Sequence, residues 1–326
     1  MPISTRLTIR LGITHPVISA PMALAAGGRL AAAVSTAGGL GLIGGGYGDA
    51  AWLDAEIAAA GNARIGCGFI TWSLRKKPEL LARVLAHNPA AVFLSFDAPA
   101  PFAAEVKAAG ALLIVQVQTL RDAASAIDAG ADIIVAQGAE AGGHGEKRGT
   151  LPLVPEVADL IARRSPETLL CAAGGIADGR GLAAALMLGA DGVVVGSRFW
   201  ASEETLVHPN MLAAAVAATG DDSIRTSVTD IARRLDWPAR YSIRVLRNDF
   251  TERWHGHEDD LRAVAGAEAA RYAKAYAEGD ARISTPIAGE AAGLIHAVEP
   301  AAVILERMVA EAEGCLRRGA GFVLAA

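Results

Sequence analysis

The chain of 326 residues is 52% hydrophobic and 20% charged, which excludes intrinsic disorder, and its net charge of −5 leaves no basic footprint for nucleic acid or an anionic membrane. Every apolar stretch is broken by Gly, Asp, Arg or Ser before about 18 residues, and the first 16 residues lack the apolar core of a signal peptide. A soluble cytoplasmic protein with no membrane partner is therefore expected, and three scattered cysteines (Cys67, Cys171, Cys315) are too few for a disulfide framework.

Eight short apolar runs follow in chain order, at 17–21, 39–44, 64–69, 91–96, 112–117, 132–137, 169–174 and 192–197. Their near-continuous hydrophobicity is what strands buried on both faces require. Amphipathic helical patterns fill the intervals, which measure 20 to 27 residues from start to start except for one of 37 after the sixth run. That spacing is one strand plus one helix, so the expected fold is α/β, a TIM (β/α)8 barrel with its chemistry at the C-terminal strand ends. A doubly wound open sheet is the competing arrangement. After the eighth run the strand signal fades and charge rises, which predicts an additional mainly helical segment lying over the barrel mouth. A last helix near 299–318 should return to the wall through Ala302, Val303, Leu305, Met308 and Val309. The predicted division is a barrel of residues 1–204 and 291–326 and a helical cover of 205–290.

Glycine, 36 residues in all, exceeds the usual share of about 7% and suggests tight turns or backbone close to a ligand. Gly39-Leu40-Gly41-Leu42-Ile43-Gly44 matches a dinucleotide fingerprint only as a string, because a helix precedes it and the motif covers the strand itself. The long sixth loop is more informative. Gln137 ends a strand, the pair Gly142-Gly143 lets backbone approach a ligand, and His144 follows, a side chain readily tuned for acid–base work. The turns Gly174-Gly175 and Gly196-Ser197 end the seventh and eighth strands, where barrels bind phosphate on backbone amides. A phosphorylated cofactor or substrate is expected there. Across the mouth, Ala20, Pro21 and Met22 offer a rigid edge, Gly68 ends the third strand, and Gln116 and Gln137 can hydrogen-bond a flat heterocycle.

These motifs resemble the nitronate monooxygenase family (formerly nitropropane dioxygenases), TIM-barrel enzymes that use FMN. The resemblance spans essentially the whole chain and rests on P-V-I-S-A-P-M (16–22), A-G-G-L-G (37–41), Q-G-A-E-A-G-G-H (137–144), A-A-G-G-I (172–176), G-S-R-F (196–199) and A-G-E-A-A-G-L-I (288–295). It implies that Ala20, Pro21 and Met22 lie along the flavin ring and that Gly174, Gly175, Gly196 and Ser197 hold the phosphate. Gly142 and Gly143 would approach the flavin or its ribityl chain, and His144 would serve catalysis. Two positions depart from the family pattern: Gly68 stands where many relatives carry Asn, and Glu290 where Gln is expected, both near the flavin pocket.

The implied reaction is oxidation of an alkyl nitronate by oxygen to a carbonyl compound and nitrite. An NAD(P)H:quinone reductase or a flavin-type enoyl-ACP reductase shares the flavin motifs, so quinone and NAD(P)H remain open as partners, as does a homodimer. A flavin-free barrel acting on a phosphorylated metabolite would need a catalytic Lys or a carboxylate pair at strand ends, and no eligible Lys is present. No metal is expected: His255 and His257 alternate among acidic neighbours rather than taking ligand spacing. Cys67 and Cys171 read as small core residues, while Trp72, Tyr241 and Trp254 belong to either the pocket or the core.

Overall fold

In a computed structural model, which describes residues 3–322, the eight expected strands are present and parallel. They are β1 (Val17–Ser19), β2 (Leu42–Gly44), β3 (Gly66–Ile70), β4 (Ala91–Ser95), β5 (Leu112–Val117) and β6 (Ile133–Gln137), then β8 (Leu169–Ala173) and β9 (Gly192–Val195). Between β6 and β8 the long loop contributes a further short strand, β7 (Gly143–Gly145). The order β1-β9-β8-β6-β5-β4-β3-β2 closes on itself through a bridge between Ile18 and Leu40, where Ser19 N–H donates to the Leu40 carbonyl at 2.9 Å. Closure leaves no sheet edge, and the open-sheet alternative is excluded.

Alternation along each strand explains the continuous hydrophobicity. In β4, Ala91 and Phe93 point into the barrel while Val92 and Leu94 meet the surrounding helices, and all four are buried. Leu7 and Leu11, on the helix Arg6–Leu11, pack against the inner cluster. Each such side chain contributes about 1.5–3 kcal/mol by leaving water. Cys67 and Cys171 sit in the outer and inner cores respectively, and burial pushes both thiols up, Cys67 to about 12. The last helix, Ala301–Ala320, returns to the wall against Gly179–Met187 and Gly28–Thr36. Its buried stripe is Ala301, Ile304, Leu305, Met308, Val309 and Ala312, a true i, i+3/i+4 repeat, so the expected Val303 instead faces outward.

The segment after β9 is mainly helical, with helices Pro209–Ala217, Val228–Ala232, Asp249–Trp254, Glu258–Ala263 and Ala265–Glu278. It also contains two strands that were not expected, β10 (Ser223–Thr226) and β11 (Ser242–Leu246), antiparallel and ordered β10-β11-β7. Their short Ser-Ile-Arg-Thr and Ser-Ile-Arg-Val-Leu runs do alternate, burying Ile224, Ile243 and Val245, but the arginines disguise them as charged helix. Register pairs Ile243 with His144, so the cover is stitched by backbone to the loop after β6. No helix among the described residues is long and apolar enough to cross a membrane.

Candidate active site

All the site residues expected from sequence line one cavity at the C-terminal end of the barrel: Ala20, Pro21, Met22, Gly68, Gln116, Gln137, Gly142, Gly143, His144, Gly174, Gly175, Gly196 and Ser197. Glu290 does not. Its carboxylate turns to Arg244 on β11 at 2.8 Å, so this departure from the family pattern belongs to the cover's ion pairing and not to the cavity wall. Gly68 does line the wall, and a Cβ there would lie 2.3 Å from the Pro21 ring; the protein's own packing accounts for this glycine.

The β8–β9 end is built of backbone. Gly174 and Gly175 take φ of +103° and +75°, a turn that only glycine makes without strain. Gly196 is different: its φ of −101° is not left-handed, and an added Cβ would meet nothing closer than Ala20 Cβ at 3.7 Å. Its neighbours do not require glycine there, so the missing side chain leaves open space in the cavity. Beside it, Ser197 Oγ accepts from Gly289 N–H at 2.9 Å, which ties the late motif over the turn and leaves the hydroxyl proton uncommitted. Glu140, the acid inside the sixth-loop motif, accepts from Thr150 N–H (2.9 Å) and Thr150 hydroxyl (2.8 Å) at the start of helix Thr150–Arg164. It is a loop fastener placed favourably at a helix N-terminus.

In the centre, Gln137 Oε1 accepts from both Gln116 Nε2 (3.1 Å) and Gln118 Nε2 (2.8 Å). That double acceptance fixes the amide and leaves Gln137 Nε2 as the donor available to a ligand. His144 is equally fixed. Its Nε2 lies 2.9 and 3.0 Å from the two carboxylate oxygens of Asp230, so Nε2–H donates and Nδ1 has no hydrogen-bond partner among the described residues. Both residues are less than one-tenth exposed. Burial, above all, holds the His144 pKa below its ordinary value; Asp230 opposes this, and Arg233 and Arg225 add to it. Burial thus favours neutral imidazole, in which Nδ1 carries the free lone pair.

Aromatic side chains form the opposite end. Trp237 lies flat on His144, ring centroids 3.4 Å apart and planes 9° from parallel. Phe96 meets the Trp237 ring edge-on at 5.0 Å, and does so from a φ of +63°, a strained conformation for a bulky residue. Trp237 Nε1–H donates to Tyr47 Oη at 3.1 Å. Trp72 and Tyr241 pack behind this wall, whereas Trp254 belongs to the cover's own core with Phe250 and Tyr272. Asp230, Arg233, Trp237 and Tyr47 were not singled out from sequence. Three of them lie on the cover, 86 to 93 residues from His144, and no spacing rule joins them to it.

The comparisons agree with the fold. A family model described as nitronate monooxygenase matches residues 4–64 and 73–311; the gap spans β3 and the departing Gly68. A nitronate monooxygenase of Neurospora crassa is 33% identical over 93% of this chain and 90% of its own length. Among solved structures, FabK from Thermotoga maritima superposes with a TM-score of 0.87 at 31% identity, covering 98% of this chain and 100% of that one. A nitroalkane oxidase from Streptomyces ansochromogenes gives a TM-score of 0.78 at 25% identity, covering 95% and 99%. With its barrel, its glycine turns and its buried histidine in one cavity, the chain belongs to the nitronate monooxygenase family of flavin-dependent oxidoreductases.

Proposed function

We propose that the cavity holds FMN and that the enzyme oxidises alkyl nitronates with oxygen, yielding a carbonyl compound and nitrite. The residues present fit that cofactor. Gly174, Gly175, Gly196 and Ser197 would hold its phosphate on backbone amides and the free Ser197 proton, in the space that Gly196 leaves open. Gly142 and Gly143 would pass along the ribityl chain. Ala20, Pro21, Met22 and Gly68 would border the ring, with Gln116 orienting Gln137 so that its amide N–H donates to a ring acceptor. When bound, FMN supplies the acceptor for the substrate's electrons and the donor for oxygen. The barrel then holds the cofactor and supplies His144, and residues 205–290 cover the substrate's side of the cavity.

The observation that carries the reading is the His144–Asp230 pair beside that glycine-lined space. With Nε2–H engaged and Nδ1 free, His144 can accept the α-proton of a nitroalkane that enters uncharged, turning it into the nitronate. Asp230 holds the ring and its tautomer, and Trp237 covers one face and keeps water from it. The test is anaerobic mixing of the yellow protein with propionate-3-nitronate and, separately, with NADH. Flavin bleaching by the nitronate is expected; bleaching by NADH alone would replace this reading with a reductase.

A further inference from the structure

Arg233 is the one lysine or arginine lining the cavity, and it has no ion-pair partner among the described residues. The neighbouring cations are committed elsewhere. Arg225 donates to the carbonyls of Gly145, Ser242 and Ala139, and Arg244 is paired with Glu290. The acids are committed too: Glu140 to Thr150, and Asp230 to His144. Arg233 stands over the Tyr47 ring, 5.5 Å from its centroid, at the aromatic end of the cavity. Tyr47 Oη already accepts from Trp237 Nε1–H, so its own proton is left to donate.

A half-buried guanidinium against aromatic rings loses hydration without gaining a carboxylate, and that loss is recovered when an anion arrives. Its planar fork suits an anion with two coplanar oxygens. A nitronate presents such a group, carrying its negative charge on the two nitro oxygens. Neutral His144 cannot receive that charge, since Asp230 takes its Nε2–H and Nδ1 offers a lone pair and no proton. The charge must therefore be met by donors elsewhere in the cavity.

We propose that Arg233, with the Tyr47 hydroxyl beside it, is the anion-binding residue that receives the two nitro oxygens and selects the nitronate over the neutral nitroalkane. This rests on the nitronate reading of the site. The division of labour is then explicit: His144 handles the proton of an uncharged substrate and Arg233 the charge of an ionised one. Arg233 has no ion pair among the described residues, and its side-chain contact is with Tyr47 at the cavity and not with the barrel core, so its replacement should leave the barrel intact.

The experiment compares wild type with Arg233→Gln, Arg233→Lys and Tyr47→Phe, all loaded with flavin. KM is measured for ethylnitronate and for freshly dissolved nitroethane, and nitrate, a planar anion that is not a substrate, is titrated by calorimetry. In Arg233→Gln the nitronate KM should rise about 10- to 100-fold, as expected for losing a charge-assisted hydrogen-bonded pair, while the nitroethane KM moves less than about 3-fold. Nitrate binding seen in wild type should vanish in Arg233→Gln and persist in weakened form in Arg233→Lys. Equal changes in both KM values, or nitrate binding unaltered by Arg233→Gln, would overturn the proposal. Should Arg233→Gln lose its flavin, the Lys and Tyr47→Phe variants decide by the same readings: unchanged nitronate KM and nitrate affinity in both overturn it. Wild type that consumes no oxygen with any nitronate sinks the functional reading instead, and the nitrate titration still reports whether Arg233 is an anion site.

Discussion

At the β8–β9 end the cavity offers backbone: two left-handed glycines, an open place at Gly196 and a serine hydroxyl. At the end toward β2–β4 it offers rings, with Arg233 as its charge and Trp237 stacked on His144. The first end recognises by shape and by N–H groups that any sequence carries, so it requires side chains to be absent. The second recognises by side chains that must be present. A single substitution should therefore abolish cofactor retention at one end and redirect substrate use at the other, with little exchange between the two effects.

The largest effect expected is from adding a side chain at the backbone end. Gly196→Asp puts a carboxylate where the phosphate would lie, and neither its φ nor its neighbours oppose the new Cβ. Flavin affinity should fall at least about 100-fold through like-charge repulsion and occupied space, while thermal unfolding of the apoprotein stays close to wild type. Full flavin content in this variant would break the contrast between the two ends. At the centre, His144→Ala should keep its flavin yet lose about 10²–10⁴-fold in kcat on nitroethane, the usual worth of a positioned base. Turnover of preformed ethylnitronate should fall much less, and equal losses on both substrates would contradict the proton-transfer role.

The same contrast explains what the sequence made legible. Strands buried on both faces have to be continuously apolar, so the barrel could be read from eight runs and their spacing, and the glycine turns at strand ends gave the backbone end of the cavity directly. Nothing comparable marked the aromatic end. Asp230 and Trp237 reach His144 because β7 pairs with β11, and β11 was hidden by Arg244 in its middle and a length of five residues. Glu290 was placed near the pocket by its motif, yet it turned outward because Arg244 on β11 offers a countercharge that an amide would meet only weakly. The late motif predicted where the chain runs, and the cover decided where the side chain points.

A smaller effect should separate positioning from chemistry at the His144–Asp230 pair. Burial holds the His144 pKa below the ordinary value near 6.5, and Asp230 partly offsets that by stabilising the protonated ring. Activity on nitroethane needs neutral imidazole, so it should decline only as pH falls below the ordinary histidine range. Asp230→Asn removes the offset, so the acid limb should move to still lower pH, with kcat reduced about 10-fold by the loosened ring. A limb shifted upward would mean that Asp230 does not act on the ring as the geometry states. Stability carries the same sign. Because the folded-state pKa is depressed, the unfolded chain binds this proton first, and the contribution present above about 6.5 is lost as pH falls through the folded value.

The smallest effect belongs to Glu290→Gln, which restores the residue expected from the family pattern. The side chain is nearly half exposed and its partner Arg244 also donates to the Ala139 carbonyl and Ser223 Oγ, so the guanidinium keeps two of its contacts when the charge is removed. The cost should be within about 1 kcal/mol, as for other solvent-screened pairs, and should shrink further in high salt. Flavin content and the nitronate KM should not move, because Glu290 does not line the cavity. The motif position would then be tuned to the cover strand opposite it and not to the substrate. A changed KM with unchanged stability would show instead that the cover's ion pairs reach the aromatic end, and the independence of the two ends would fail.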